Sequence, residues 1–327
     1  MSRRRTRRSQ KAMIRSIAAA AVVLLGAAGY TFGAPDGSPL SGTEQQTASV
    51  SNLSESDGAS VSGKDGSSGE DLTVHFVDIG QGDCMVLTQG DHAMLIDAGD
   101  NSKGTAVQSY LEYLGIGTLD YAVLTHPDAD HIGGADVVLY KFDCERVLMP
   151  DVSADTRTYE DVMQVIEDKN LAVDHPSPGD VYAFGGASFT VLSPSGSYRD
   201  TNDNSIVIRL VYGDTSFLFT GDAEEAAEED MLASGLTLSS DVLKVGHHGS
   251  SSSTGDAFLE AVDPSFAIIS CGEDNSYGHP HAETLNKLRA AGVSVFRTDE
   301  QGTITAVTDG TTITWNASPS ETWQSGR

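Results

Sequence analysis

The sequence predicts an α/β fold in which two β-sheets pack together beneath covering helices. Short apolar runs of strand length recur along the chain after residue 70. Helical segments are interspersed among them rather than gathered at one end. Two turn pairs, Gly213-Asp214 and Asp309-Gly310, sit between apolar runs as hairpin signals. With 39% hydrophobic residues in a chain of 327, there is material for a substantial core.

In chain order, Leu72–Ile79, Met85–Thr88 and Ala93–Ile96 read as consecutive strands. Lys103–Leu114 reads as a helix, with Val107, Tyr110, Leu111 and Leu114 on one face. Tyr121–Thr125 is a short apolar strand and Tyr159–Asp168 a helix. Ile206–Tyr212 and Ser216–Thr220 form a hairpin, and Ala223–Ala233 is a strongly acidic helix. Val242–Val245, Phe266–Ser270 and Val293–Phe296 are further strands, with the helix Ala282–Ala291 between the last two. Ile304–Val307 and Thr312–Trp315 close the domain as a hairpin.

The ends stand apart from this domain. Residues 1–16 are a basic segment that holds seven of the chain's 20 Lys and Arg and no acid. Residues 17–34 are an uncharged run rich in Ala, Val and Leu, about the minimum length for spanning a bilayer. The basic flank predicts a cytoplasmic N-terminus with the remainder outside. The expectation is a single-pass membrane anchor, or a signal segment cut near Phe32-Gly33-Ala34 with secretion of the rest. Residues 35–70 are dominated by Ser, Gly, Thr and acids, which cannot bury enough surface to order themselves, and read as a flexible linker. The domain is placed at 71–317, with 318–327 as a C-terminal tail.

The formal net charge is −27, and after Arg15 only 13 bases face 47 acids. Such a field repels polyanions at long range and argues against a general nucleic-acid coat protein. It does not exclude a nuclease, because bound cations reverse the local sign. The lack of a basic groove counts against long duplex substrates. Cys84, Cys144 and Cys271 form no CxxC pair, so a sulfur-rich zinc site is not expected. They read as buried apolar residues, with one disulfide open outside the cytoplasm.

Four segments carry chemistry. Thr125-His126-Pro127-Asp128-Ala129-Asp130-His131-Ile132-Gly133-Gly134 follows an apolar strand directly and packs four metal-capable side chains into six residues. In an extended loop, residues two apart point the same way, so His126, Asp128 and Asp130 converge, and His131 joins if the chain turns at Gly133-Gly134. Imidazole and carboxylate are the donors of hydrolytic divalent metals. Thr220-Gly221-Asp222 ends a strand in a carboxylate placed to bridge two metals, although alone it reads as an ordinary turn. His247-His248-Gly249-Ser250 closes another strand, one imidazole free for metal and the other for substrate. Gly278-His279-Pro280-His281 precedes a helix, where the two histidines suit phosphate binding or protonation of a leaving group.

Together these segments resemble the metallo-β-lactamase superfamily, and within it the hydrolase domain of competence-type DNA-uptake proteins and its freestanding relatives. Further residues carry the resemblance over about Leu72 to Trp315: Phe76-Val77-Asp78-Ile79-Gly80-Gln81-Gly82-Asp83, Leu95-Ile96-Asp97-Ala98-Gly99 and Thr201-Asn202-Asp203-Asn204-Ser205. The resemblance implies a four-layer αββα sandwich with a dinuclear metal centre along one sheet edge. His126 and Asp128 would serve one metal. Asp130, His131 and His247 would serve the other, with Asp222 between the two. Asp97 would orient a ligand. Asp78, Gln81 and Asp83 would shape the neighbouring loop. His248, Ser250, His279 and His281 would face substrate, and Asn204 lies where many members carry a third histidine. That absence, with Asp128 in place of another common histidine, implies an oxygen-rich first site that leans from zinc toward manganese or magnesium.

The expected activity is a phosphodiesterase or nuclease acting outside the cytoplasmic membrane through metal-activated water, with Asp130, His248 and His279 as catalytic groups. Its substrate would be single-stranded DNA, RNA or a nucleotide. Any channel for DNA uptake would be a separate chain. The same fold also hosts ester, lactone and β-lactam hydrolases, and a metal-binding scaffold without activity is the third reading.

Overall fold

The structure, a computed structural model, describes residues 70–326. The expected basic segment, membrane or signal segment and almost all of the linker lie outside the described residues. Among the described residues no helix is long and apolar enough to cross a membrane.

The strands are β1 (Leu72–Phe76), β2 (Met85–Gln89), β3 (His92–Ile96), β4 (Thr118–Val123), β5 (Asp143–Leu148), β6 (Val173–Asp174), β7 (Val181–Phe184), β8 (Ala187–Ser193), β9 (Val207–Tyr212), β10 (Thr215–Phe219), β11 (Val242–Lys244), β12 (Phe266–Ile269), β13 (Ser294–Arg297), β14 (Ile304–Thr308) and β15 (Ile313–Trp315). They form one sheet in the order β15-β14-β1-β2-β3-β4-β5-β6 and a second in the order β13-β12-β11-β10-β9-β8-β7. The helices are α1 (Gly104–Tyr113), α2 (Ala129–Ile132), α3 (Ala135–Lys141), α4 (Arg157–Lys169), α5 (Glu225–Ala233), α6 (Asp256–Val262), α7 (Ala282–Ala290) and α8 (Thr298–Gln301).

Period-two alternation makes the layers. On β10, Phe217 and Phe219 enter the core between the sheets, while Leu218 joins the core on the far face. Leu72, Val74 and Phe76 of β1 meet Phe189 and Phe217 in that central core. Val107, Val138 and Val162, from α1, α3 and α4, cover the outside of the first sheet. Ala227, Phe258 and Leu285, from α5, α6 and α7, cover the second. The result is the expected αββα sandwich.

Strand direction then places the site. Strands β3, β4, β5 and β6 run parallel, as do β10, β11, β12 and β13. The chain therefore leaves their C-terminal ends on one edge, where α/β sheets hold their ligands. Asp97, the His126 cluster, Asp222, His247-His248 and the His279 loop all follow such ends.

Several expected boundaries move. β1 stops at Phe76, because the Val77 amide bonds to Cys84 O and the Gly80 amide to Asp78 Oδ1, which turns the chain. β4 begins earlier, at Thr118, and ends at Val123, since the Thr125 amide goes to a side chain. β5, β6, β7 and β8 and helices α3 and α6 had no place in the sequence reading. β5 reads polar because three of its six residues are exposed.

Residues 318–326, set apart as a tail, pack on the domain. Gln301 and Arg297 donate to the carbonyls of Ser318 and Gln324, and the Ser320 amide donates to Val295 O. Trp323 packs against the outer core of the second sheet, and the Gly326 amide donates to Pro280 O, beside His279. Deleting residues 318–327 strips a partner from the buried Arg297 guanidinium and should cost about 2–4 kcal/mol. In a thermal melt followed by circular dichroism this is a drop of roughly 5–15 °C. An unchanged melt would mean the strap contributes nothing.

Candidate metal centre

Asp97 is the first fixed point. It is fully buried at the end of β3 with φ of 57°, a left-handed conformation that Asp tolerates better than most residues but that still carries strain. Its Oδ1 accepts the Thr125 amide at 2.8 Å, and its Oδ2 accepts the Thr125 hydroxyl at 2.7 Å and His131 Nδ1–H at 2.8 Å. One carboxylate thus ties the end of β3 to the loop after β4.

That loop does not stay extended as expected. Asp128 is extended (φ −76°, ψ 148°) and sits at the N-cap of α2, so Asp130 and His131 lie in a helical turn. Neighbouring residues on a helix diverge by about 100°. Asp130 therefore points toward the second sheet's histidines while His131 points back to Asp97. Gly82, at φ of 125°, lets the loop after β1 press against the Asp130 carbonyl.

Four imidazoles are each held at Nδ1, which leaves Nε2 for a ligand. His131 is held by Asp97. His126 Nδ1 lies 3.1 Å from Thr125 Oγ1, and because that hydroxyl donates to Asp97 it accepts from the ring. His248 donates to the Ser270 carbonyl at 3.0 Å. His247 donates to Glu224 Oε1 at 2.8 Å. The Nε2 atoms face carboxylates: His131 to Asp222 at 3.2 Å, His248 to Asp130 at 3.3 Å and to Asp222 at 3.5 Å, His247 to Asp222 at 3.6 Å, and His126 to Asp128 at 3.8 Å.

This arrangement fits divalent metal ions. Nε2 of His126, His131 and His248 and Oδ1 of Asp222 are buried without an aligned hydrogen bond. Such atoms are rare unless a ligand belongs there. Donor atoms of His126, His131 and Asp222 lie within 4.8 Å of one another, as do those of Asp130, His131 and His248. Nitrogen and carboxylate oxygen donors suit zinc, manganese or iron and give no single answer.

Proton equilibria mirror the crowding. Burial favours neutral His131, but the Asp222 and Asp97 carboxylates outweigh it and lift it well above the usual range. His248 is raised in the same way to about 9, chiefly by Asp222 and Asp130 against burial. Burial would raise Asp222, yet His131 and His248 hold it well below the ordinary carboxylate value. His126, buried and beside His131, is depressed to about 3.

The structure corrects several expected roles. His248, placed on the substrate side by the sequence, is buried among Asp130, Asp222 and Asp83, whereas His247 is part-exposed on the other flank of Asp222. Both residues are left-handed, at φ 47° and 54°, so adjacent side chains splay apart in a way no strand pattern predicts. His281 spends both ring nitrogens on the protein: its Nδ1 accepts the Ser251 amide and its Nε2 faces Tyr277 O, so it staples two loops. Asn204 spends its amide on the Tyr198 and Asp200 backbone and aims nothing at the site. Ser250 Oγ lies 2.8 Å from Ser252 Oγ, one step from Glu224. Asp78 shapes its own turn, and Gln81 Oε1 accepts the Gly272 amide, joining the loops after β1 and β12.

Asp83 does more than shape a loop. It is fully buried, 3.3 Å from His248 Nδ1, and its Oδ2 lies 2.9 Å from Lys244 Nζ, itself fully buried. The contact is ionic rather than an aligned hydrogen bond, since Lys244 donates to Val245 O. Burial would raise Asp83, but the Lys244 ammonium and His248 hold it below its ordinary value. The sequence reading missed Lys244. Its only signal is a lysine inside an apolar run, three residues before the histidine pair. Glu224, Thr125 and Ser205 were likewise unassigned.

A family model described as the metallo-beta-lactamase superfamily matches residues 77–273. The chain is 35% identical over 250 residues to ComE operon protein 3 of Bacillus subtilis (strain 168), which covers 71% of this chain and 32% of that protein. It is 32% identical over 231 residues to competence protein ComA of Neisseria gonorrhoeae, which covers 69% of this chain and 31% of that one. The chain thus spans about a third of the length of these curated relatives. Among solved structures, the metallo-beta-lactamase fold protein YhfI from Bacillus subtilis matches at a TM-score of 0.49 and 12% identity, over 70% of this chain and 96% of that one.

Two predictions follow from the charges. Lys244→Met leaves the Asp83 carboxylate buried and unpaired and should cost about 3–5 kcal/mol in denaturant unfolding of the metal-free protein. Asp83→Asn with Lys244→Met should recover most of that loss, and a double variant as unstable as the single would refute the pairing. In metal-free protein, His248 contributes stability below its ordinary pKa of 6.5, and this is lost as pH rises through about 9. Ligation requires His131 and His248 to be neutral, so manganese uptake at neutral pH should release protons. Calorimetry in buffers of different ionisation enthalpy measures this, and the release should shrink as pH nears 9.

Proposed function

The chain belongs to the metallo-beta-lactamase superfamily of hydrolases, and on that premise we propose that it cleaves phosphodiester bonds of nucleic acid or nucleotides outside the cytoplasmic membrane. The observation that carries the reading is the set of three carboxylates, Asp128, Asp130 and Asp222, turned toward the same space as the histidine Nε2 atoms. Against two divalent ions they leave about one net positive charge, an anion site inside a chain of −27. The competence relatives support nucleic acid as the substrate class, with single-stranded DNA, RNA or a nucleotide preferred over duplex because the chain carries 20 bases against 47 acids. The basic and apolar N-terminal segments support a membrane anchor or a cut signal, with any DNA channel in another chain.

When bound, two divalent ions would supply Lewis acidity toward a phosphoryl oxygen and acidify an attacking water. His126, Asp128, Asp130, His131, Asp222 and the histidine pair would hold them. In the metal-free protein His248 and His131 hold Asp130 ionised against its burial, which readies the carboxylate to serve as a ligand and to accept a hydrogen bond from the attacking water. His279 stands over the mouth, with ring centroids 5.3 Å from His247 and 6.1 Å from His248. Its backbone is clamped by Asn275, and its Nδ1 is buried with no partner, a polar atom reserved for a ligand. Burial and the neighbouring imidazoles lower it to about 4, so at neutral pH it offers a neutral ring to the leaving oxygen.

The test is hydrolysis of bis-p-nitrophenyl phosphate and single-stranded DNA by the full-length protein with manganese, zinc or chelator. Manganese-stimulated cleavage should fall by at least about 10³-fold in the His126→Ala, Asp130→Ala double variant. His279→Ala should lower kcat about 10–100-fold and leave metal content unchanged. Absence of phosphodiester cleavage in a metal-loaded protein would sink the reading.

A further inference from the structure

The large apolar side chains exposed among the described residues are Tyr113, Tyr140, Val181, Leu232 and Tyr277. The first four belong to α1, α3, β7 and α5. Tyr277 lies instead in the loop between β12 and α7, which leaves a parallel strand at its C-terminal end and also carries His279. Its ring is stacked on that of His279, with centroids 5.6 Å apart and planes at 21°. Yet the residue stays 64% exposed. A tyrosine whose task was only to cover His279 would bury its own ring as well. This one turns one face toward the imidazole and leaves the rest of the ring to solvent. The His279 ring is in turn 6.1 Å from that of His248. Two ring-to-ring steps therefore lead from solvent to the metal edge.

The backbone beneath the ring is fixed before any ligand arrives. The buried Asn275 side chain accepts the amides of Tyr277 at 3.2 Å and His279 at 3.0 Å, and donates to the carbonyls of Gly272 and His279. Tyr277 O faces His281 Nε2 at 3.2 Å. The Gly326 amide reaches Pro280 O from the C-terminal strap. A tyrosine on a held backbone has only two side-chain torsions to immobilise, so a flat ligand can settle on it at low entropic cost.

We propose that Tyr277 is a nucleobase platform: the base joined through its ribose to the phosphate at the metal edge stacks on the exposed part of the ring. This rests on the phosphodiesterase reading and names what the same site recognises besides the phosphate. The charge of the chain favours such a handle. A field of −27 repels phosphates at long range but leaves a neutral base untouched. Every base has a π-face, so the contact tolerates any sequence and contributes about 5–100-fold in affinity. One ring serves one base, which suits a strand end or a nucleotide.

The experiment compares two phosphodiesters that share a leaving group, the p-nitrophenyl ester of thymidine monophosphate and methyl p-nitrophenyl phosphate, with manganese-loaded full-length protein. Only the first carries a base, and the wild type should prefer it. Tyr277→Ala should lower the ratio of the two kcat/KM values about 5–100-fold, mostly through the KM of the thymidine ester. Tyr277→Phe should keep the ratio, and Tyr277→Leu, apolar but without a π-face, should lose it. Thermal melts check folding, and Tyr277→Leu keeps the comparison open if the alanine variant does not fold. An unchanged ratio, or an equal fall for both esters as expected if the ring merely supports His279, would overturn the inference and leave the phosphodiesterase reading standing. If the wild type cleaves neither ester, that reading fails first and the platform goes with it.

Discussion

The buried Asp97 carboxylate is the contact on which the site depends. It takes three donors from the loop that follows β4, two from Thr125 and one from His131. Each bond removes a freedom. The amide bond ends β4, the hydroxyl bond fixes the proton on Thr125 and so the tautomer of His126, and the imidazole bond turns His131 Nε2 toward Asp222. Burial raises the Asp97 carboxyl, and His131 and the Thr125 amide pull against that. The left-handed strain at Asp97 is sustained by this network rather than by local preference.

The second sheet meets this arrangement through charge rather than apolar packing. Lys244 ends β11 and reaches Asp83 on the loop after β1, so a buried ion pair joins the two sheets at the edge that carries the ligands. A fully buried ion pair adds little net stability compared with an apolar pair of similar size. Such a pair is suited to setting registry between the sheets, here between Asp83 and the His248 ring that faces Asp130. The Asp83 contact with His248 Nδ1 couples that registry to a ring that already donates to the Ser270 carbonyl.

Much of this was legible because the informative residues are dense or periodic. Four ligand-type side chains in six residues after an apolar strand have no ordinary structural use, and Asp222 gained meaning from them. The hairpins followed from turn pairs between apolar runs and the two helix-covered sheets from helices interspersed among strands, while the four-layer αββα order came with the family resemblance. Other features needed backbone dihedrals or distant partners. The order of His247 and His248 inverts because both are left-handed, which a two-residue motif does not display. Glu224 is hidden at the start of an acidic helix whose other acids are mostly solvated. Lys244 reads as a charge at a strand end until the other sheet supplies Asp83. Strand β5 is polar on its exposed positions and was invisible to hydrophobic periodicity.

The electrostatics of the whole chain and of the site point in opposite directions, and that opposition has a physical consequence. A surface this acidic slows the approach of any polyanion and does so most at low ionic strength, where the Debye length is longest. The site itself, without cations, is a cluster of carboxylates partly answered by protonated histidines. Only cations can turn it into a place where a phosphate is held. On the phosphodiesterase reading proposed above, affinity for phosphate esters follows metal occupancy rather than fixed arginines or lysines. Lys244, fully buried and committed to Asp83, cannot substitute for them. On that reading the preferred substrates bring a small number of phosphates to the metal edge, such as a strand end, a flexible single strand or a nucleotide. On the same reading a long duplex would have to lay many phosphates along a chain whose net charge is −27.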